Sequence, residues 1–181
     1  MSEKYKFHDP EGLYFLSPTI IHWIDLFTRK EFRYIIIDAL KYCQENKGLI
    51  VHAYCLMPSH LHLIVSSNGE PLEAIIRDFK KYTSREIIKT LNQINESRRD
   101  WLNNAFQKAA NGIKRNSKNK VWQDGNRPKL LETNQFIQQK LEYIHNNPTE
   151  AEIVDEPEHY RYSSARDYSG MKGLIDVQLI C

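Results

Sequence analysis

The chain has 181 residues, of which 41% are hydrophobic and 27% are charged, and its formal net charge is only +2. A chain of this length can bury a sizeable core as one domain, and its overall charge does not by itself indicate a nucleic-acid-binding protein. Three cysteines without paired spacing argue against a disulfide framework or a cysteine-based zinc site and suit a reducing cytoplasm. The N-terminus lacks the apolar region of a signal peptide, and no stretch approaches the length of a membrane span.

Hydrophobic periodicity predicts alternating strands and helices. Runs rich in β-branched and aromatic residues indicate strands, and apolar residues at helical spacing between capping signals indicate helices. Strands are predicted over residues 13–24, 49–57 and 60–66, with short strands at 121–123 and 129–131. Helices are predicted from Thr28 to Gly48, from Pro71 through Tyr82 and on to Ala110 with a break near Asn95, and onward from Thr133 or Asn134. Thr28 and Glu31 have the spacing of a capping box for the first of these helices.

The resulting order, β-α-β-β-α-(basic insert)-β-α, predicts an α+β fold. This order is typical of a ferredoxin-like (RRM-like) antiparallel sheet with helices packed on one face. No repeat, low-complexity tract or composition shift marks a second domain. We therefore predict one domain over residues 1–181, with a basic helical or loop insert at about 84–121 and a C-terminal extension at about 149–181.

Two histidines two residues apart lie on an otherwise apolar predicted strand. Side chains alternate between the faces of a strand, so His60 and His62 point to one side, whereas Leu61 and Leu63 point to the other. Neutral imidazole is a common metal ligand, and two imidazoles on one face could share an ion. The spacing leaves open a second interpretation, in which one histidine is a hydrogen-bonded core residue and the other lies at the surface.

A basic segment follows the second group of helices. Residues 108–129 carry seven lysines and arginines against one acid, Asp124, and include Trp122. Cations neutralise phosphates and aromatic rings stack on bases, so this composition suits single-stranded nucleic acid, although a solvated surface would have it too. With the preceding Lys80–Lys81 pair, the candidate contacts are Lys80, Lys81, Lys114, Arg115, Lys118, Lys120, Trp122, Arg127 and Lys129.

The last predicted helix ends in the sequence YIHNNP at residues 143–148. Tyr143 and Asn147 are four residues apart and share a face if this turn is helical. Pro148 disfavours helical geometry at the residue before it, so we expect Asn147 at the frayed end. From the residues alone, Asn147 could equally be a helix cap, Tyr143 a packing residue, and His145 a residue favoured by the helix dipole.

Taken together and in order, these motifs resemble the REP-associated tyrosine transposases, which are single-tyrosine members of the His-hydrophobic-His (HUH) nuclease superfamily. The resemblance rests on YCLMPSHLH at residues 54–62 and on YIHNNP at residues 143–148. The stretches at 77–83, 122–123 and 158–164 also look like landmarks of the family. One departure is Lys129, which stands where some members of the family carry a histidine.

The resemblance implies an HUH-nuclease palm in which His60, His62 and Asn147 hold a divalent metal, Mg²⁺ or Mn²⁺, and Tyr143 is the nucleophile. The implied enzyme is a transposase, a metal-dependent endonuclease and strand transferase that cleaves at hairpin-forming DNA through a 5′-phosphotyrosine intermediate. The implied partner is single-stranded or hairpin DNA. Such a protein would be a monomer or homodimer and would act in the cytoplasm, at the nucleoid.

Several alternatives remain open at this point. The protein could be a domesticated stem-loop DNA-binding protein without turnover, or a nuclease of the relaxase or replication-initiator type. Tyr82, beside two lysines, is a rival nucleophile, but its spacing predicts a place on the buried stripe of its helix. The C-terminal extension could contact DNA, although we expect it to wrap the edge of the sheet.

Overall fold

A computed structural model describes residues 7–111 and 118–180. In these residues the strands are β1 (Tyr14–Leu16), β2 (Leu49–Leu56), β3 (Leu61–Ser67) and β4 (Lys129–Leu130). The helices are α1 (Lys30–Lys47), α2 (Leu72–Gln93), α3 (Arg99–Ala110), α4 (Asn134–Glu150) and the short α5 (Ala165–Tyr168). None of these helices is both long and apolar enough to cross a membrane.

The four strands form one sheet in the order β2-β3-β1-β4, and each neighbouring pair is antiparallel. With its βαββαβ order of elements, this sheet has the ferredoxin-like topology, and the predicted fold class is confirmed. The strand predicted at residues 121–123 is reduced to an isolated bridge between Ile20 and Trp122. The break predicted near Asn95 separates α2 from α3.

Helices lie on both faces of this sheet, so the expectation that all helices pack on one face holds for α1 and α2 and is wrong for α4. Leu16 and Leu63 are paired across β1 and β3 and fully buried, on the face that α1 and α2 cover as predicted. Phe15 points to the opposite face with His62, and there α4 forms a second layer that places the Tyr143 ring against both of them. The sheet therefore brings the histidine strand and the tyrosine helix together on one side.

Helix α1 begins differently from the prediction and ends as predicted. The Thr28 hydroxyl donates to the carbonyl oxygen of Asp25 and does not cap α1, so the predicted capping box is wrong. Gly48 ends the helix with a φ of +74°. A Cβ at Gly48 would also lie 2.6 Å from the backbone nitrogen of Gly69, so both conformation and space require glycine there.

Helix α4 continues through Pro148 to Glu150. Its N-terminus is capped as predicted, with the Thr133 side chain accepting from the backbone nitrogen of Phe136. Pro148 is buried, and the next turn is closed by a bond of 3.0 Å from the Ala151 nitrogen to the Asn147 carbonyl. The expectation that Asn147 lies at a frayed end is therefore wrong, because packing of the proline outweighs its local preference.

The C-terminal segment lines the outer edge of β2. The backbone nitrogen of Leu56 donates to the Tyr162 carbonyl, and that of Ser164 donates to the Tyr54 carbonyl, each at 2.9 Å. The Tyr160 hydroxyl also donates to the Leu56 carbonyl at 2.8 Å. These bonds occupy backbone groups that an edge strand would otherwise expose.

Candidate active site

The two histidines at the start of β3 turn their Nε2 atoms towards each other. His62 lies within β3 and is 3% exposed, and His60 precedes the strand, where it bridges to Thr19. The Nε2 atoms of His60 and His62 are 2.9 Å apart. The period-two spacing of the sequence thus produces a convergent pair of nitrogen atoms.

A serine hydroxyl holds the opposite side of each imidazole. Ser59 Oγ lies 3.0 Å from Nδ1 of His60, and Ser17 Oγ lies 2.8 Å from Nδ1 of His62. Contacts of this kind fix the orientation and tautomer of a metal-binding histidine. Both hydroxyls engage Nδ1, so both Nε2 atoms remain directed at the shared point.

Burial keeps both rings neutral. Desolvation lowers the pKa of His60 to about 4. The pKa of His62 falls to about 3, chiefly through desolvation and further through the charges of His60 and Lys140, while a hydrogen bond with Asn147 opposes the shift. A neutral imidazole is the form that binds a metal, so both rings are in the ligand form at neutral pH.

Asn147 brings an amide oxygen to the same point. Its Nδ2 donates to the Tyr143 carbonyl at 3.1 Å, one helical turn back along α4. Because Nδ2 is used in this bond, Oδ1 is the atom left to accept from His62 or to bind a cation. The four-residue spacing thus joins Asn147 and Tyr143 on the side of α4 that faces His62.

The donor set fits a divalent metal. Two neutral rings can satisfy the 2.9 Å contact when one Nε2–H donates to the other Nε2, and the same two atoms can instead both bind a cation. Ligands about 2.1 Å from an ion and at right angles to each other would be about 3 Å apart, which agrees with this separation. Among the described residues no group of three or more histidines, cysteines and carboxylates could hold a metal, so the third donor here would be an amide. Nitrogen and amide donors do not by themselves specify the metal.

Tyr143 lies beside this pair in the same chain. Its ring centroid is 5.1 Å from that of His62 and 6.1 Å from that of Phe15. Tyr143 is 41% exposed, so a substrate could approach it from solvent. The structure therefore brings together the four residues of the predicted catalytic and metal sites: Tyr143, His60, His62 and Asn147.

Lys140 is a site residue that the sequence analysis missed. Its Nζ lies 5.2 Å from the ring centroids of Phe15 and Tyr143, and 5.5 Å from that of Phe136. Partial burial and the nearby charge of Lys129 lower its pKa. Lys140 forms no ion pair with any acidic group in the described ranges. Its position one turn before Tyr143 was the available signal.

Two of the predicted DNA contacts are structural residues. Trp122 is 4% exposed, packs between Phe27 and Phe79, and donates its Nε1–H to Thr83, so the prediction that it stacks on bases is wrong. Lys80 is also misassigned, because its ammonium donates to the carbonyls of Gln123 and Gly125 and to the Asn126 side chain. Desolvation there lowers the pKa of Lys80 to about 8.

The remaining candidate cations differ in their surroundings. The Lys120 ammonium forms an ion pair with the carboxylate of Asp124, four residues later in the chain. Lys114 and Arg115 lie outside the described residues. The four exposed candidates are Lys81, Lys118, Arg127 and Lys129.

The rival nucleophile Tyr82 is exposed, not buried as predicted. Thr83 takes the buried position on α2, and Tyr82 is 47% exposed with its ring near the guanidinium of Arg85. However, α2 covers the face of the sheet away from His60 and His62. Within the part of the chain that the structure describes, Tyr82 therefore has no convergent pair of histidines beside it.

Two comparisons relate this chain to known proteins. Residues 25–109 match the sequence model of the family described as "Transposase IS200 like". The fold is similar to the solved structure of a REP-associated tyrosine transposase bound to a REP hairpin, with a TM-score of 0.61 and 17% identity over 100% of this chain and 94% of that chain. Among proteins of curated function, none matches the sequence. The resemblance inferred from the motifs is thus confirmed by a sequence match over the histidine strand and by a shared fold.

Proposed function

Because the chain carries the sequence signature of IS200-like transposases on the fold of a REP-associated tyrosine transposase, we propose that it cleaves and rejoins single-stranded DNA with Tyr143 as nucleophile. One observation carries the proposal. The Tyr143 ring lies 5.1 Å from His62, whose Nε2 meets that of His60 at 2.9 Å, all within one chain. A nucleophile and a convergent ligand pair are the two parts that such a reaction needs.

In the proposed reaction the Tyr143 hydroxyl attacks the phosphorus of a phosphodiester. The hydroxyl loses its proton to solvent, a bond forms between Oη and phosphorus, and the bond to the 3′ oxygen breaks. The leaving 3′ oxygen gains a proton and becomes a free hydroxyl, while the 5′ phosphate stays on Tyr143. Attack of another 3′-hydroxyl on this adduct reverses the sequence, joins a strand and releases tyrosine without an external energy source.

Three residues would hold the divalent metal of this site, namely His60, His62 and Asn147. Bound there, Mg²⁺ or Mn²⁺ would act as a Lewis acid towards a non-bridging phosphate oxygen. Lys140 would add a fixed positive charge on the Tyr143 side of the phosphate, since no acid in the described chain neutralises it. Ser17 and Ser59 would keep the two imidazoles oriented.

The DNA would approach along exposed cations near the site. Lys129 lies close enough to Lys140 to lower the pKa of Lys140, so the two charges border one patch. The other exposed candidates, Lys81 on α2 and Lys118 and Arg127 before β4, would contact the backbone of an adjoining hairpin. The similar solved structure has a DNA hairpin bound, which supports a hairpin beside the cleaved strand as the substrate. Such a substrate would place the protein with the chromosomal DNA in the cytoplasm.

The test uses a DNA hairpin with randomised single-stranded flanks and Mn²⁺. Wild-type protein is expected to form a covalent protein–DNA adduct that resists denaturation, and mass spectrometry should locate it on Tyr143. Tyr143→Phe should bind the hairpin and form no adduct, whereas Tyr82→Phe should behave as wild type. An adduct that persists in Tyr143→Phe would overturn the assignment. Hairpin binding without cleavage under any of these conditions would instead support a stem-loop-binding protein without turnover.

A further inference from the structure

Trp23 is the most exposed large hydrophobic side chain of the described residues, at 62% exposure. It ends the short turn Ile21–Trp23 between β1 and α1, in which His22 is also exposed, whereas Ile21 and the following Ile24 are buried. An exposed indole in a turn that two isoleucines anchor to the core is not explained by packing of the core. Its orientation therefore requires another reason.

The backbone that presents Trp23 is strained. His22 and Trp23 have φ values of +53° and +56°, a left-handed conformation that bulky residues rarely adopt. The turn is fixed on both sides, because Ile21 donates to the Val121 carbonyl at 2.9 Å and Phe27 donates to the Pro58 carbonyl at 2.8 Å. Strain that the surrounding structure imposes is commonly found at binding and catalytic sites.

The indole stands directly beside the candidate active site. Its ring centroid is 5.3 Å from that of His60, and the two ring planes meet at 71°. The rings are therefore not stacked on each other. This arrangement leaves the indole available to a flat ligand next to the point where the Nε2 atoms of His60 and His62 converge.

We propose that Trp23 is the stacking platform for the nucleobase adjacent to the cleaved phosphate. This inference rests on the proposed function, because it takes the His60–His62 point as the position of that phosphate. A base is one sugar away from its phosphate, so a strand held at His60 would bring a base to the ring that touches His60. Stacking on an aromatic ring is tolerant of sequence, and Trp23 would position the strand without selecting the base.

The first test follows the fluorescence of Trp23 itself. Trp101 is also exposed, at 56%, so the experiment uses the Trp101→Phe variant, in which buried Trp122 adds only a constant background. A thymidine oligomer of about 12 nucleotides is expected to quench the signal, whereas an abasic oligomer of equal length and charge should not. Trp101→Phe combined with Trp23→Phe should lose the response. Equal quenching by both oligomers, or none by either, would overturn the proposal.

The second test measures binding of the same oligomers by fluorescence anisotropy in the presence of a chelator. Trp23→Ala is expected to weaken binding of the thymidine oligomer by about 10- to 100-fold, the range for one lost base–aromatic stack, and to leave binding of the abasic oligomer unchanged. Tyr42→Ala is the matched control, because Tyr42 is 57% exposed on α1, on the other side of the sheet. An equal loss for both oligomers would show that Trp23 does not stack on a base.

These readouts separate this inference from the proposed function. Base-dependent binding through Trp23, in a protein that never forms the Tyr143 adduct, would support the platform and overturn the proposed cleavage. Adduct formation by wild type, together with unchanged binding by Trp23→Ala, would support the cleavage and overturn the platform.

Discussion

The ring of Tyr143, on α4, lies 5.1 Å from the ring of His62, on β3, within a single chain. The two residues are 81 positions apart in sequence, counted from 62 to 143, and meet because α4 packs on the histidine face of the sheet. Each chain therefore holds the proposed nucleophile beside the proposed ligand pair. The proposed site draws all of its residues from one chain.

This arrangement predicts cleavage in cis. A mixture of Tyr143→Phe with the double variant His60→Ala and His62→Ala should form no adduct at any mixing ratio, because neither chain holds a complete site. The measurement is adduct yield on a denaturing gel, with wild type diluted into the same total protein as the control. Recovery of activity in the mixture would show that a tyrosine from one chain serves the histidines of another.

Lys140 is expected to support the reaction through its charge. Lys140→Met should reduce the cleavage rate by about 10- to 100-fold, because it removes a partly buried cation from the Tyr143 side of the phosphate. Lys140→Arg should recover part of the rate. Lys41→Met, on the exposed side of α1, is the matched control and should leave the rate unchanged. Single-turnover kinetics at saturating DNA would separate this effect from weaker binding. A rate unchanged in Lys140→Met would argue against an electrostatic role.

The serine hydroxyls behind the imidazoles are expected to tune metal affinity. Ser17→Ala and Ser59→Ala should each weaken binding of Mn²⁺ by about 10-fold or more, since each removes the contact that orients one ligand. Ser66→Ala is a matched control, because Ser66 makes the same kind of contact, at 2.8 Å, to His52 away from the site. Calorimetric titration with Mn²⁺ gives the three affinities. An equal loss in all three variants would indicate a general effect on the sheet.

The local half of the site could be predicted from the sequence. A strand period of two fixes the common side of His60 and His62, and a helix period of 3.6 puts Tyr143 and Asn147 together. The helix end at Gly48 and the cap at Thr133 also follow from short-range rules. Each of these features depends on residues within about one turn or one strand of each other.

The misassigned residues depend on contacts that local patterns do not contain. The basic neighbours of Trp122 indicate a DNA contact, yet Phe27 and Phe79 from distant elements bury it. The sequence around Lys80 indicates a phosphate ligand, but its partners are carbonyls more than forty residues away. Pro148 locally favours the end of α4, and burial in the tertiary structure overrides that preference. Packing over long sequence distances decided all three.

The reassignment of Trp122 predicts an effect on stability. Trp122→Ala should lower the free energy of unfolding by about 3 to 5 kcal/mol, because it empties a buried site and leaves the Thr83 hydroxyl without its indole partner. Trp101→Ala is the control, since Trp101 is 56% exposed and its loss should change stability by at most about 0.5 kcal/mol. Urea denaturation followed by circular dichroism measures both. Normal stability with weakened DNA binding in Trp122→Ala would restore the base-stacking interpretation.

His52 is expected to make the fold sensitive to acid. It is 5% exposed, its Nδ1–H donates to the Gln178 carbonyl, and the Ser66 hydroxyl donates to its Nε2. Burial lowers its pKa in the folded protein, and the bond to the Gln178 carbonyl only partly opposes this shift. Between the folded pKa and about 6.5 the unfolded chain therefore binds more protons than the folded one, so stability is complete above about pH 6.5 and falls as the pH drops below it. The slope from this single group is at most about 1.4 kcal/mol per pH unit.

The test replaces His52 by asparagine, which can retain the donor to Gln178. Between about pH 7 and pH 5, the free energy of unfolding of His52→Asn should fall less steeply than that of wild type, as measured by urea denaturation with a chelator present. Identical slopes for the two proteins would show that His52 does not contribute to the acid sensitivity.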